Sequence, residues 1–225
     1  DFKMRIFNSD GTEAEMCGNG IRCLTHFIKF LDLNQKKFFN IETLAGIINS
    51  SILSYNKDES IIKVNMGKAI LAKNKIPVKT NENYNKNNII DYKIHVHNKQ
   101  FLINSVSLGN PHTVIFTDDI NTIPLEKWGK AIENHGIFPQ KTNVEFVEVE
   151  DKNNIKMRVW ERGVGETLAC GTGACASAVI SAKKNHTKSF VNVKLKGGNL
   201  KINTKNDTIF MSGKSKVVYQ GKIKL

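Results

Sequence analysis

Two stretches of this 225-residue sequence repeat one another without a gap. KMRIFNSDGTEAEMCGNG at residues 3–20 and KMRVWERGVGETLACGTG at residues 156–173 align at a constant offset of 153, which lays Cys17 on Cys170. The copies share Lys3/Lys156, Met4/Met157, Arg5/Arg158, Glu13/Glu166, Cys17/Cys170, Gly18/Gly171 and Gly20/Gly173. Ile6 with Val159 and Phe7 with Trp160 differ but stay alike in character. Each copy runs from an apolar strand through a polar, Gly-containing turn to Cys-Gly-x-Gly, and then into a helical pattern. A chain built this way is constrained to fold as two similar halves facing one another, each supplying one cysteine. That pair of thiols is the expected functional centre.

The repetition reaches beyond the motif. Ile21, Leu24, Phe27, Ile28 and Leu31 fall at helical spacing, which predicts a core-facing helix over 20–31 with Cys23 packed beside its stripe. Short alternating strands follow in FFNIET, IINSSILSY and SIIKVNMG, and the second half repeats that plan with VNVKLK, NLKINT and TIFMSG. Between the halves, the Lys/Asn-rich residues 72–92 read as an exposed irregular connection. YKIHVHN and QFLINSVSLGN read as a hairpin, Thr113–Phe116 as a strand, and 124–134 as a short helix with Leu125, Trp128 and Ile132 inward. The helix over 171–184 is rich in Ala174, Ala176, Ser177, Ala178, Ser181 and Ala182. Such small side chains suit a central helix wrapped closely by a sheet. The expected domains are 1–66, joined by the tail 216–225, and 67–215. A strand at 143–150 precedes the second motif, so a full duplication demands a counterpart upstream of Asp1; the sequence is expected to lack an N-terminal segment of its parent.

Bulk composition narrows the function classes. No apolar run approaches the ~20 residues that a membrane-spanning helix needs, and no signal-peptide pattern opens the chain. A cytoplasmic protein without membrane or nucleic-acid partners is expected. The net charge of +12 comes from scattered Lys, such as Lys36-Lys37 and Lys183-Lys184, without a long basic run or interleaved aromatics. The four cysteines Cys17, Cys23, Cys170 and Cys175 have spacings C-x5-C and C-x4-C with no His pair at ligand distance, so no metal site is expected. C-x-x-C redox motifs are absent.

Cys-Gly-x-Gly at a helix start has a direct chemical use. The first turn of a helix carries unpaired backbone N–H groups and positive potential, and glycine lets an anion approach those donors. The same field is expected to lower a nearby thiol below its reference of about 8.5. Two such motifs facing each other would clamp a carboxylate with a sulfur on either side. That suits removal of a proton from the carbon next to the carboxylate by a thiolate, and delivery of a proton from the opposite face by a thiol. The expected reaction is racemisation or epimerisation, with no cofactor.

The runs RIFNSDGTEAEMCGNGIRC, VNMG, SLGNPHTV, KTNVEF, RVWERGVGETLACGTGACA and LKGGNL, in this order, resemble the diaminopimelate epimerase family over essentially the whole chain. The resemblance implies an α+β fold of two pseudo-symmetric domains, each a curved antiparallel β-sheet or barrel wrapped around a central helix. It implies interconversion of LL- and meso-diaminopimelate on the route to lysine and peptidoglycan precursors. By matching motif position, it makes Cys17 and Cys170 the acid–base residues and has Gly18, Asn19, Gly171 and Thr172 hold the reacting carboxylate. Asn8, Asn110, Asn143, Glu161 and Arg162 would recognise the distal end of the substrate, and His112 and Glu161 would tune the cysteines. It further implies a homodimer with Tyr219 as a contact. The family's upstream Gly-x-Gly-Asn-Asp-Phe motif has no counterpart here.

Two other readings compete. Proline and hydroxyproline racemases also use paired cysteines, but they tend to show His after the first Cys-Gly, where this chain has Asn19. A thiol redox or metal-binding protein would use the same four cysteines and would be marked by stoichiometric zinc. If Cys17 and Cys170 face one small carbon centre, oxidation is expected to join them.

Overall fold

The two copies of the repeated motif fall in different packing units: Asp1–Asn65 with Phe210–Leu225, and Met66–Ile209. The structure is a computed structural model and describes residues 1–7 and 11–223.

The first unit contains strands β1 (Phe2–Lys3), β2 (Ile6–Phe7) and β3 (Glu13–Ala14), helix α1 (Gly18–Phe30), and strands β4 (Phe38–Thr43), β5 (Gly46–Tyr55) and β6 (Glu59–Asn65). Its sheet runs β1-β4-β5-β6 and is closed by the strand Phe210–Lys216, which pairs with β6 from Phe210↔Asn65 to Lys216↔Glu59. The sequence expectation had placed residues 210–215 with the second domain. That full-length ladder instead puts the boundary before Phe210. The alternation of β4 and β6 turns Phe39, Ile41, Ile62 and Val64 inward, and α1 covers β5, β6 and Phe210–Lys216.

The face that α1 buries matches the expected stripe at Ile21 and Ile28 but not at Phe27 and Leu31. Gly18, Ile21, Thr25, His26 and Ile28 are buried, whereas Phe27 and Leu31 are 51% and 47% exposed. The sheet offers polar partners, and these draw in the two polar residues. Thr25 Oγ1 lies 2.8 Å from Ser50 Oγ, and His26 Nδ1 lies 3.0 Å from the Ser215 carbonyl. Cys23, expected to pack, is exposed.

The second unit contains strands β7 (Tyr92–Val96), β8 (Lys99–Ser107) and β9 (Pro111–Phe116), helix α2 (Leu125–Glu133), strands β10 (Asn143–Asp151), β11 (Asn154–Glu161) and β12 (Gly165–Thr167), helix α3 (Gly171–Lys183), and strands β13 (Phe190–Leu195) and β14 (Gly198–Asn203). The sheet order is β14-β13-β11-β10-β9-β8-β7, with β12 paired to β11. The ladders are mostly antiparallel, with parallel pairs at β9–β10 and β11–β13 and, in the first unit, at β1–β4. The fold is mixed α+β.

Helix α3 packs against β8, β9, β10, β11, β13 and β14. It can lie so close because nine of its thirteen residues are buried and, Ile180 apart, these are all Gly, Ala, Ser or Cys. A separate apolar core gathers Phe101, Ile103, Ile115, Leu125, Ile132, Phe138, Val144 and Phe146, with α2 laid on it. The first five residues of β10, Asn143–Val147, are therefore buried on both faces. Val144 and Phe146 enter this core, while Glu145 points to α3, beside Gly173.

Residues 72–92 are tied down rather than freely exposed. Ala72 bridges Asn88, Ile89 is fully buried, and the Tyr84 ring meets Tyr92 edge-on at 4.9 Å.

Candidate active site

The duplication is chemical as well as sequential. In the first unit Arg5 grips Glu13 through two N–H···O bonds of 2.9 Å; in the second Arg158 grips Glu166 at 2.9 and 3.1 Å. Each bidentate pair fastens the strand and turn that lead into the cysteine. The helices that follow are both 13 residues long. Each is capped by its cysteine in extended geometry: φ/ψ is −137°/113° at Cys17 and −128°/115° at Cys170. Cys17 Sγ accepts the Gly20 N–H at 3.4 Å, and Cys170 Sγ accepts the Gly173 N–H at 3.4 Å. Ile21 and Ala174 then donate to the Cys17 and Cys170 carbonyls. The amides of Gly18 and Asn19, and of Gly171 and Thr172, therefore have no acceptor within their own helix and lie where an anion is best received.

Within the first unit, the Asn19 side chain accepts from Arg22 Nη1 at 3.0 Å, which fixes it beside the cap. Tyr219 is 84% exposed and lies with Cys23, Phe27 and Leu31 along one surface groove. Asn8 lies outside the described residues.

The second unit gathers most of the remaining candidates. Asn110 donates from Nδ2 to Thr172 Oγ1 at 3.4 Å, and Thr172 Oγ1 lies 3.4 Å from Cys170 Sγ. The other end of Asn110, Oδ1, is 3.0 Å from His112 Nε2. Glu161 accepts the Thr167 hydroxyl. Asn143 spends its amide on the backbone: Nδ2 donates to the Pro111 carbonyl at 2.8 Å, and Oδ1 accepts the Arg162 N–H at 3.0 Å. It thereby holds the turn from which Arg162, exposed and bonded to the Gln140 carbonyl, projects.

Sequence reasoning missed Glu145. It is fully buried and 2.6 Å from His112 Nδ1. The available signal was a carboxylate inside the apolar strand Asn143–Val147, two residues from Asn143 and hence on the same face.

The expectation that the helix start lowers both thiols does not hold at Cys170. Burial pushes this thiol well up, and the nearby Glu161 and Glu145 carboxylates add to the effect; the Thr172 hydroxyl and Gly173 N–H oppose it only in part. Cys170 is therefore a thiol in the ligand-free protein at neutral pH. Because the folded state keeps this proton while an unfolded thiol loses it near pH ~8.5, the contribution to stability is complete below that pH. Above it, stability falls by at most about 1.4 kcal/mol per pH unit. Urea midpoints measured at neutral and alkaline pH should show this loss in the parent, and a smaller one in Cys170→Ala.

A family model described as diaminopimelate epimerase matches residues 1–72 and 104–218. A diaminopimelate epimerase from Halothermothrix orenii is 52% identical over 225 residues, covering 99% of this chain and 78% of the relative. One from Methanococcus maripaludis strain S2 is 47% identical over 225 residues, covering 99% and 80%. Among solved structures, a hydroxyproline epimerase from Agrobacterium vitis superposes with a TM-score of 0.68 at 12% identity, covering 96% of this chain and 68% of that one. At that identity the likeness speaks for the fold alone. No helix among the described residues is long and apolar enough to cross a membrane.

Proposed function

This chain belongs to the diaminopimelate epimerase family, a family of isomerases, and from that premise we propose that it interconverts LL- and meso-diaminopimelate with Cys17 and Cys170 as paired acid and base. The observation that carries the reading is the matched pair of caps, each with a sulfur 3.4 Å from the third amide of its helix. One group acts as thiolate and takes the α-proton, becoming a thiol. The C–H electron pair moves onto the substrate carboxylate, whose oxygens are stabilised by the helix-start amides. The opposite thiol gives its proton to the other face of the carbon and is left as thiolate. Atoms and charge balance, and the enzyme ends with its two protonation states exchanged. Cys170, held as a thiol by its surroundings, is the proton donor for the first turnover.

The distal end of the substrate is recognised in this reading by Arg162, whose guanidinium suits the far carboxylate, and by Glu161, Asn110, Asn143 and Asn8. The reaction belongs to the supply of lysine and peptidoglycan precursors in the cytoplasm. A homodimer is supported by the exposed apolar residues Phe27, Leu31, Val218 and Tyr219.

The test is proton NMR of LL-diaminopimelate in heavy water under reducing conditions. Loss of the α-proton signal with appearance of the meso form is expected. Turnover of proline or hydroxyproline with diaminopimelate left untouched would replace the substrate assignment.

A further inference from the structure

The pair His112–Glu145 is completely buried, with both side chains 0% exposed. The two partners of the His112 ring are both oxygen acceptors: Glu145 Oε1 at 2.6 Å from Nδ1, and Asn110 Oδ1 at 3.0 Å from Nε2. A neutral imidazole has one N–H and one bare lone pair. The bare nitrogen cannot face the Asn110 oxygen without repulsion, so Nε2 must carry a hydrogen. On the Nδ1 side, one further proton is shared with Glu145, residing on nitrogen or on the carboxyl oxygen. Either location leaves Nε2–H donating to Asn110.

That donation and the observed direction of the Asn110 amide support one another. With Oδ1 held by His112, Nδ2 must face Thr172 Oγ1, the hydroxyl that also meets Cys170 Sγ. Turning the amide over would present an oxygen where a hydrogen-bond donor now stands. Glu145 is held in place from the opposite side. A Cβ at Gly173 would stand 2.8 Å from Oε1, so the carboxylate rests against the first turn of α3, where the helix end favours negative charge. Its second oxygen, Oε2, has no hydrogen-bond partner among the described residues. Among the described residues, the carboxylate's one side-chain bond is therefore that to His112. The other titratable groups facing this cluster are Cys170 at the start of α3 and Glu161 on β11.

We propose that Glu145 is a positioning residue of the active site: through the buried His112 ring it locks the Asn110 amide with its N–H groups turned toward Thr172, Cys170 and the substrate. The sequence resemblance assigns Glu145 no role. Only the kinetic arm of the test rests on the epimerase reading.

The first arm is the ¹⁵N spectrum of the histidine rings in the parent protein without substrate, with His112 assigned by its absence in His112→Gln. Nε2 of His112 should be the nitrogen that carries the hydrogen at neutral pH, because its partner is the Asn110 oxygen. A bare Nε2 at neutral pH overturns the proposal, whatever the variants do. The second arm is a double-mutant cycle with LL-diaminopimelate. Glu145→Ala should raise KM about tenfold, the scale of one lost buried hydrogen-bond orientation, with a smaller fall in kcat. In an Asn110→Ala background the same change should add less than about twofold, because its effect passes through Asn110. Effects that multiply would assign Glu145 a merely structural role and sink the idea. If the parent does not turn over diaminopimelate, the substrate reading fails on its own, and the ring spectrum still decides the proton.

Discussion

Serine at position 170 should abolish interconversion of LL- and meso-diaminopimelate, with kcat lower by about 10³-fold or more, and serine at position 17 should do the same. A positioned acid or base is worth about 10² to 10⁴ in rate. A hydroxyl, far less acidic than a thiol, cannot serve as the base near neutral pH. The effect should fall on kcat more than on KM, because the helix-start amides at Gly18, Asn19, Gly171 and Thr172 remain. Deuterium wash-out separates the roles. In the proposed two-base mechanism each variant keeps one thiol, which serves only one face of the α-carbon. Each should therefore exchange the α-proton slowly in one stereoisomer without inverting it, and the two variants should favour opposite stereoisomers. Equal exchange of both isomers by one variant would rule out the two-base reading and leave a single nonselective base.

Gly129→Ala should destabilise the protein, although helix propensity alone predicts the opposite. Alanine inside a helix is better than glycine by about 1 kcal/mol. Against this, a Cβ at position 129 of α2 would stand 2.5 Å from Trp160 Cβ and 2.6 Å from its Cγ. These atoms lie at the root of the indole, so no side-chain rotation can clear them. The tryptophan is also tethered at its far end, where Nε1 donates to Glu133 Oε2 at 2.7 Å. Overpacking of this kind costs about 1–3 kcal/mol, and more where neighbours cannot yield. A net loss of about 2 kcal/mol is expected, read as a lower urea midpoint with unchanged m-value. An unchanged or raised midpoint would mean that α2 can ride outward from β11 at little cost.

What was legible in the sequence was what period and repetition encode. The offset between the cysteine motifs placed both helix starts, and the alternation of residues 38–43 and 191–196 placed matching strands to within a residue. The failures share a cause: partners distant in sequence. Ser50 and Ser215 drew Thr25 and His26 into the core and pushed Phe27 and Leu31 out, which no reading of the helix alone could anticipate. Glu145 went unnoticed because it is one of three Glu in residues 143–150, and the partner that singles it out lies 33 positions away, on β9. The raised Cys170 thiol has the same origin. The local motif supplies a helix start that favours the anion, whereas the burial and two carboxylates that disfavour it come from the rest of the unit.

The strand Phe210–Lys216 lies on the first unit's sheet, tied there by the β6 ladder and by the Val217 N–H to the Asp58 carbonyl. A ribosome has therefore made all of Met66–Ile209 before it supplies the strand that closes the earlier half. Until then the earlier half must wait with an open edge at β6. Premature termination shortly before Phe210 would then cripple the fold around Cys17, although the message for that motif is among the first to be read.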